Sequence, residues 1–171
     1  LYTPTDLNVV IGEVTNDFEL ELQKYDAIIK QDILPEIQAI PLQMNQLFHN
    51  LISNAIKFQG EGRQPVVSIQ SKKLLPNEVL KHADLEQKLE YYEIIFSDNG
   101  IGFEQEYAEQ IFKIFQRLHE QVAYAGSGIG LALCKKIVLN HHGKIFAVGK
   151  ENEGADFHIL LPARQPKVPL K

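Results

Sequence analysis

Asn50 and Asn54 stand four residues apart in the segment His49-Asn50-Leu51-Ile52-Ser53-Asn54-Ala55-Ile56-Lys57-Phe58, and Lys57 follows three further on. In a helix these three share one side, while Leu51, Ile52, Ala55 and Ile56 look inward. Two carboxamides and an ammonium along one polar stripe can hold a hydrated Mg²⁺ and its phosphates. Carboxamide oxygens are hard, neutral ligands, and Mg²⁺ prefers oxygen while keeping several waters. A solvated polar face is the alternative. Asn is a mediocre helix former, so two of them in mid-helix ask for another explanation.

Ser97-Asp98-Asn99-Gly100-Ile101-Gly102-Phe103 directly follows an apolar strand. A strand end can present a buried carboxylate to a ligand, and Asp98 there can accept a hydrogen bond from an exocyclic amine such as that of adenine. Gly100 and Gly102 allow positive φ and close approach of backbone to ligand. Asp-Asn-Gly is equally a common turn. Gly126-Ser127-Gly128-Ile129-Gly130-Leu131 opens a strong helix, whose free amides and dipole favour phosphate. A hinge before the helix is the other reading of those glycines. Between the two glycine motifs, Phe112 and Phe115 sit three apart as anchors to the core, and Arg117 is a candidate partner for a terminal phosphate, or a surface charge.

Competing chemistries find less support. No G-x-x-x-x-G-K-[ST] string occurs, and the G-x-G-x-G spacing after Ala123-Tyr124-Ala125 is not the dinucleotide fingerprint. The histidines at 49, 82, 119, 141, 142 and 158 lack zinc-ligand spacing. His141-His142 reads as a helix end, Cys134 as inert core, and Ser127 has no evident base. With 17 Lys+Arg against 22 Asp+Glu the net charge is −5, which disfavours a broad grip on nucleic acid.

The elements that must position these residues can be read from periodicity. Length (171 residues) and a 44% hydrophobic content suit one domain with a real core. Thr5-Asp6 caps a helix in which Leu7, Val10, Ile11, Val14, Phe18 and Leu22 recur at helical spacing to about Lys24. Short strands flank Pro35, and Pro41 starts the asparagine-bearing helix, which Gly60 stops. Val66–Gln70 and Tyr91–Phe96 read as strands around a polar, insertion-like loop at about 74–88. A short helix is expected around Glu104–Ile111, and a longer one from about Gly128 to His142. A closing hairpin, Lys144–Lys150 and Ala155–Leu161, turns at Glu151-Asn152-Glu153-Gly154. The expected class is α/β: a two-layer sandwich, its mixed sheet covered on one face by helices. One cysteine points to a reducing, cytoplasmic setting without disulfides. No apolar run approaches ~20 residues, no signal peptide opens the chain, and Leu1 in place of Met suggests a piece of something longer.

These motifs, in this order, resemble the catalytic and ATP-binding (HATPase) domain of bacterial sensor histidine kinases, within the GHKL superfamily of gyrase, heat-shock chaperone and mismatch-repair ATPases. Asn50–Phe58 is similar to the family's N box, Asp98–Phe103 to its first glycine box, Phe112–Phe115 to its F box and Gly126–Leu131 to its second glycine box. Gly154–Pro162 is similar to its final strand.

The resemblance spans about residues 6–162 and implies a Bergerat-type ATP fold with a mobile lid at about 103–127. It divides the chain into a linker (1–5), the ATP-binding domain (6–162) and a tail (163–171). By the same resemblance, Asn50 and Asn54 hold Mg²⁺ and phosphates, Lys57 meets phosphate, and Asp98 accepts from adenine. Arg117 reaches the γ-phosphate, and Gly126, Ser127, Gly128, Gly130 and Leu131 cradle phosphates. Asn54, Lys57 and Arg117 are the candidate catalytic residues, and Gly100 and Gly102 join the nucleotide site. The implied cofactors are ATP and Mg²⁺.

The implied activity is transfer of a γ-phosphoryl to a His on a dimerisation domain expected before Leu1, then to an Asp of a response regulator receiver domain, in a homodimeric parent. This segment itself would touch neither membrane nor nucleic acid. The alternatives are a non-transferring scaffold and an ATPase clamp; Asn50 speaks against the clamp, since it stands where the ATPase relatives carry a Glu base. Ser127 replaces the more usual Thr. The acceptor motif is absent, since His119-Glu120-Gln121-Val122 begins like it but continues differently, so the fragment alone is not expected to autophosphorylate.

Overall fold

The computed structural model describes residues 1–113 and 130–167. Thr3–Asp6 (β1) leads into Leu7–Asp17 (α1), where Asp6 Oδ1 accepts the Asn8 amide at 2.8 Å and caps the helix. The single helix expected to Lys24 is broken. Phe18 leaves helical torsions, and Glu19–Lys24 (α2) resumes beyond it. The break has a packing reason. The second piece buries no side chain, so nothing holds it collinear, while the Phe18 ring lies 4.6 Å from that of His49.

Ile28–Gln31 (β2) and Glu36–Ala39 (β3) flank Pro35, and Pro41–Lys57 (α3) begins with proline in its first turn. Val66–Lys73 (β4), Pro76–Leu80 (α4) and Tyr91–Asp98 (β5) follow. Two 3₁₀ turns, Gln105–Tyr107 and Gln110–Phe112, stand where one short helix was expected. Beyond the undescribed stretch come Gly130–Asn140 (α5), Lys144–Lys150 (β6) and Gly154–Pro162 (β7).

The five-stranded sheet runs β2-β4-β5-β7-β6, parallel at β2–β4 and antiparallel elsewhere, while β1 pairs with β3 in a separate ladder. The sheet is therefore mixed, as expected. Alternation sets its two faces: Ile94 and Phe96 are buried, while Glu93, Ile95 and Ser97 are only half so. The buried face packs on Leu7, Val10, Ile11 and Val14 of α1, Met44, Leu47, Phe48, Leu51 and Ile52 of α3, and Cys134, Ile137 and Val138 of α5. Each such side chain contributes roughly 1.5–3 kcal/mol. Helix α3 packs against both α1 and α5.

The segment expected as a polar loop at 74–88 instead builds a second, smaller core. Leu74, Val79, Leu85, Tyr91 and Leu160 bury one another there. Its apolar residues are too widely spaced to show a period, but they share one end of the sheet's other face. At the chain's end, Ala163 accepts the Gln38 amide and donates to Glu90, both at 2.9 Å. No described helix is long and apolar enough to cross a membrane.

His141 joins the two helices that bear the candidate site. It is fully buried at the end of α5. Its Nε2 accepts the amide of Ile40, the residue before α3, at 3.0 Å, and its Nδ1 lies 2.8 Å from the Ile137 carbonyl. Nε2 can accept only while the ring is neutral, and burial pushes its pKa below the ordinary histidine value. The unfolded chain therefore takes up the proton first. Stability from this group is complete above about pH 6.5 and falls as pH drops below it. The His141→Gln variant supplies an acceptor and a donor without titrating. Its urea midpoint is expected to drop less between pH 7 and pH 5 than that of the unaltered chain.

Candidate functional site

Helix α3 places Asn50 and Asn54 half-buried on one side and leaves Lys57 exposed in its last turn, where a cation also suits the helix dipole. The first residue of α5 closes against this stripe. A Cβ added to Gly130 would lie 3.9 Å from Asn50 Oδ1 and 4.0 Å from Asn54 Oδ1. A helix start from the second glycine motif thus meets the two carboxamides, though they lie about 80 residues away in the chain. Beneath the stripe, the Cys134 thiol donates to the Leu47 carbonyl at 3.7 Å and is pushed up to about 12 by burial, so the cysteine is inert packing as expected. The Asn54 carboxamide makes no side-chain hydrogen bond among the described residues. Two hard, neutral oxygens beside a helix start fit a hydrated Mg²⁺.

Asp98 ends β5 on the helix-covered side of the sheet, paired with Val67 and Ala155. Burial raises its pKa to about 6, against the opposing pull of the Gly100 and Ala155 amides; Asp156 raises it further and Arg63 lowers it. Its Oδ1 accepts the Gly100 amide at 2.9 Å. The glycine loop is fixed on both flanks. The Ile101 amide donates to the Phe58 carbonyl at 2.9 Å, and the Ile101 carbonyl accepts the Asn152 amide at 2.7 Å. The Phe58 amide in turn bonds the Asn54 carbonyl at 2.9 Å, so Asp98 and the asparagine stripe are linked through the end of α3.

Gly102, at φ 61°, sits where a Cβ would overlap the Lys150 and Gly154 carbonyls, so glycine is required there. Asn99 is part of the turn: its Oδ1 accepts the Val66 amide at 2.8 Å and its Nδ2 donates to the Gln64 carbonyl at 2.9 Å. Ile111 and Phe112 are buried, with Phe112 edge-on to Phe157 at 6.2 Å. Leu131 is half-buried against the core. Phe115, Arg117, Gly126, Ser127 and Gly128 lie outside the described residues.

Reading the sequence missed Arg63. Its guanidinium donates to the carbonyls of Gly100, at 2.9 Å, and Asn152. No local pattern marks it, because both partners are remote in the chain. A cleft of about 850 Å³ lined by Gln59–Arg63, Ile101 and Asn152 lies on that flank, and none of Asn50, Asn54, Lys57 or Asp98 lines it.

The chain is similar to known signalling proteins. Phytochrome-like protein Cph1 of Synechocystis is 32% identical over 94% of this chain, and cyanobacterial phytochrome A of Nostoc is 36% identical over 92%. The chain spans only 19% of each of these relatives. The catalytic domain of histidine kinase ThkA superposes with a TM-score of 0.73 at 26% identity, covering 96% of this chain and 97% of that one. ThkA is also solved in complex with response regulator protein TrrA; there the TM-score is 0.69 at 24% identity, over 95% of this chain and 42% of that one. Residues 39–165, which carry the asparagine stripe, the Asp98 loop and α5, match the histidine kinase-, DNA gyrase B- and HSP90-like ATPases, and the chain belongs to that family.

Proposed function

We propose that this is the ATP-binding kinase domain of a two-component sensor histidine kinase, presenting the γ-phosphoryl of ATP to a His on a dimerisation domain. The observation that carries the reading is the meeting of Asn50 and Asn54 with the start of α5 at Gly130. Such transfer needs mainly positioning and charge neutralisation. Asp98 accepts from the adenine amine, with Gly100 and Gly102 in the loop beside it that lines the nucleotide site. Lys57 and Arg117 are assigned to the phosphates, as are Gly126, Ser127 and Gly128 with Gly130 and Leu131 of α5. Asn50 and Asn54 hold Mg²⁺, which when bound offsets phosphate charge. Asn50 supplies no base for water, because a carboxamide does not take up protons near neutral pH. That favours transfer over the hydrolysis of an ATPase clamp.

The phosphoryl would pass on to an Asp of a response regulator receiver domain. ThkA, solved with such a regulator, supports that partner. The parent is read as a homodimer with this domain in the cytoplasm.

The test supplies a separate dimerisation domain bearing its acceptor His, together with radiolabelled ATP and Mg²⁺. Acid-labile label on that domain is expected, with none on this chain alone. A scaffold would transfer nothing, and rapid ATP hydrolysis by this chain would favour the clamp.

A further inference from the structure

Gly100 joins Asp98 to a second set of contacts. Its amide holds the Asp98 carboxylate at 2.9 Å. The next peptide, between Gly100 and Ile101, is held at both ends: its carbonyl accepts from Arg63 Nη2 and its N–H donates to Phe58, each at 2.9 Å. Arg63 Nη1 also donates to Asn152, whose own amide bonds the Ile101 carbonyl. Arg63, Gly100, Ile101 and Asn152 thus close a ring that ties the loop after α3, the loop after β5 and the β6–β7 turn together.

Room for the guanidinium is made by Gly60, where a Cβ would overlap it. The forked geometry matters, since two carbonyls on different loops are reached by two nitrogens of one planar group, which a lysine ammonium does not reproduce. Arg63 also acts on the Asp98 carboxylate as a cation, lowering its pKa against Asp156, which raises it.

We propose that Arg63 is a positioning residue: by holding the Gly100–Ile101 peptide it sets where Asp98 meets the base, and so enforces selection of adenine by its exocyclic amine. This rests on the reading of Asp98 as the acceptor for that amine. Arg63 touches no nucleotide in this scheme; it acts through Gly100.

The test compares ATP with ITP, which carries a carbonyl in place of the amine. Calorimetry on the unaltered chain is expected to show tighter binding of ATP. The Arg63→Ala variant is expected to lose about tenfold in ATP affinity, in line with the cost of small misplacements, with ITP affinity nearly unchanged, so the ATP/ITP ratio falls. Arg63→Lys, milder to the fold, is expected to lower the ratio too. Urea unfolding of both variants reports their stability. If Arg63→Ala does not fold, Arg63→Lys decides. A ratio unchanged in a folded variant overturns the inference and leaves the proposed function standing. Failure of the unaltered chain to bind ATP overturns that function and the inference with it.

Discussion

The Asp98→Asn variant is expected to be more stable than the unaltered chain at pH 8 and to bind ATP more weakly. Asp98 is buried at the end of β5, and its pKa is raised to about 6. For a carboxylate the sign is clear: a raised folded pKa means that ionisation costs stability. The cost is absent below the unfolded value near 3.8 and grows as pH rises toward 6, where it is complete. It amounts to on the order of 3 kcal/mol. Asparagine removes the charge but offers one acceptor oxygen where two amides, those of Gly100 and Ala155, converge, an offset of about 1 kcal/mol.

The net expectation is a gain of about 2 kcal/mol at pH 8 that vanishes or reverses near pH 4, read by urea unfolding at the two pH values. ATP affinity falls about 10- to 100-fold, the worth of a hydrogen bond to a charged group. A variant no more stable at pH 8 would show that the carboxylate is not held at an energetic cost. Unchanged ATP affinity would remove Asp98 from base recognition.

The Asn54→Ala variant is expected to abolish the strengthening of ATP binding by Mg²⁺ while leaving the fold intact. Asn54 sits in the interior of α3, half-buried. Alanine there is the better helix former by roughly 0.5 kcal/mol, so thermal stability should rise slightly. Affinity without Mg²⁺ should hardly move, whereas with Mg²⁺ it should fall to nearly the metal-free value. Phosphoryl transfer to a supplied dimerisation domain should drop by about 100-fold or more. A variant that kept its Mg²⁺ dependence would return the stripe to a solvated face. In both variants a residue that the fold would be better without is retained at the site, as functional positions often show.

Much of this could be read from residue order alone, for physical reasons that differ by element. Helix α3 was legible because six buried apolar residues recur along one side, and β5 and β7 because their burial alternates or runs unbroken before a turn. The break at Phe18 was not, since it depends on an aromatic contact with His49. Nor was the small core around Tyr91 and Leu160, whose members lie far apart in the chain and have no common period. At the site, types and spacing gave Asn50, Asn54 and Asp98. His141 was legible as a helix end, but Arg63 and the bond from Ile40 to His141 escaped, because they join groups 37 to 101 residues apart in the chain. A local pattern cannot register such pairs.

Helix α3, the Asp98 loop and the start of α5 are together expected to bind ATP with Mg²⁺. Isothermal titration calorimetry of the unaltered chain with ATP, with and without Mg²⁺, tests it most directly. Saturable one-to-one binding is expected, strengthened by Mg²⁺ and weakened as pH falls below about 6, where Asp98 gains its proton. No heat of binding in either condition, at protein and nucleotide concentrations up to about a millimolar, would contradict it.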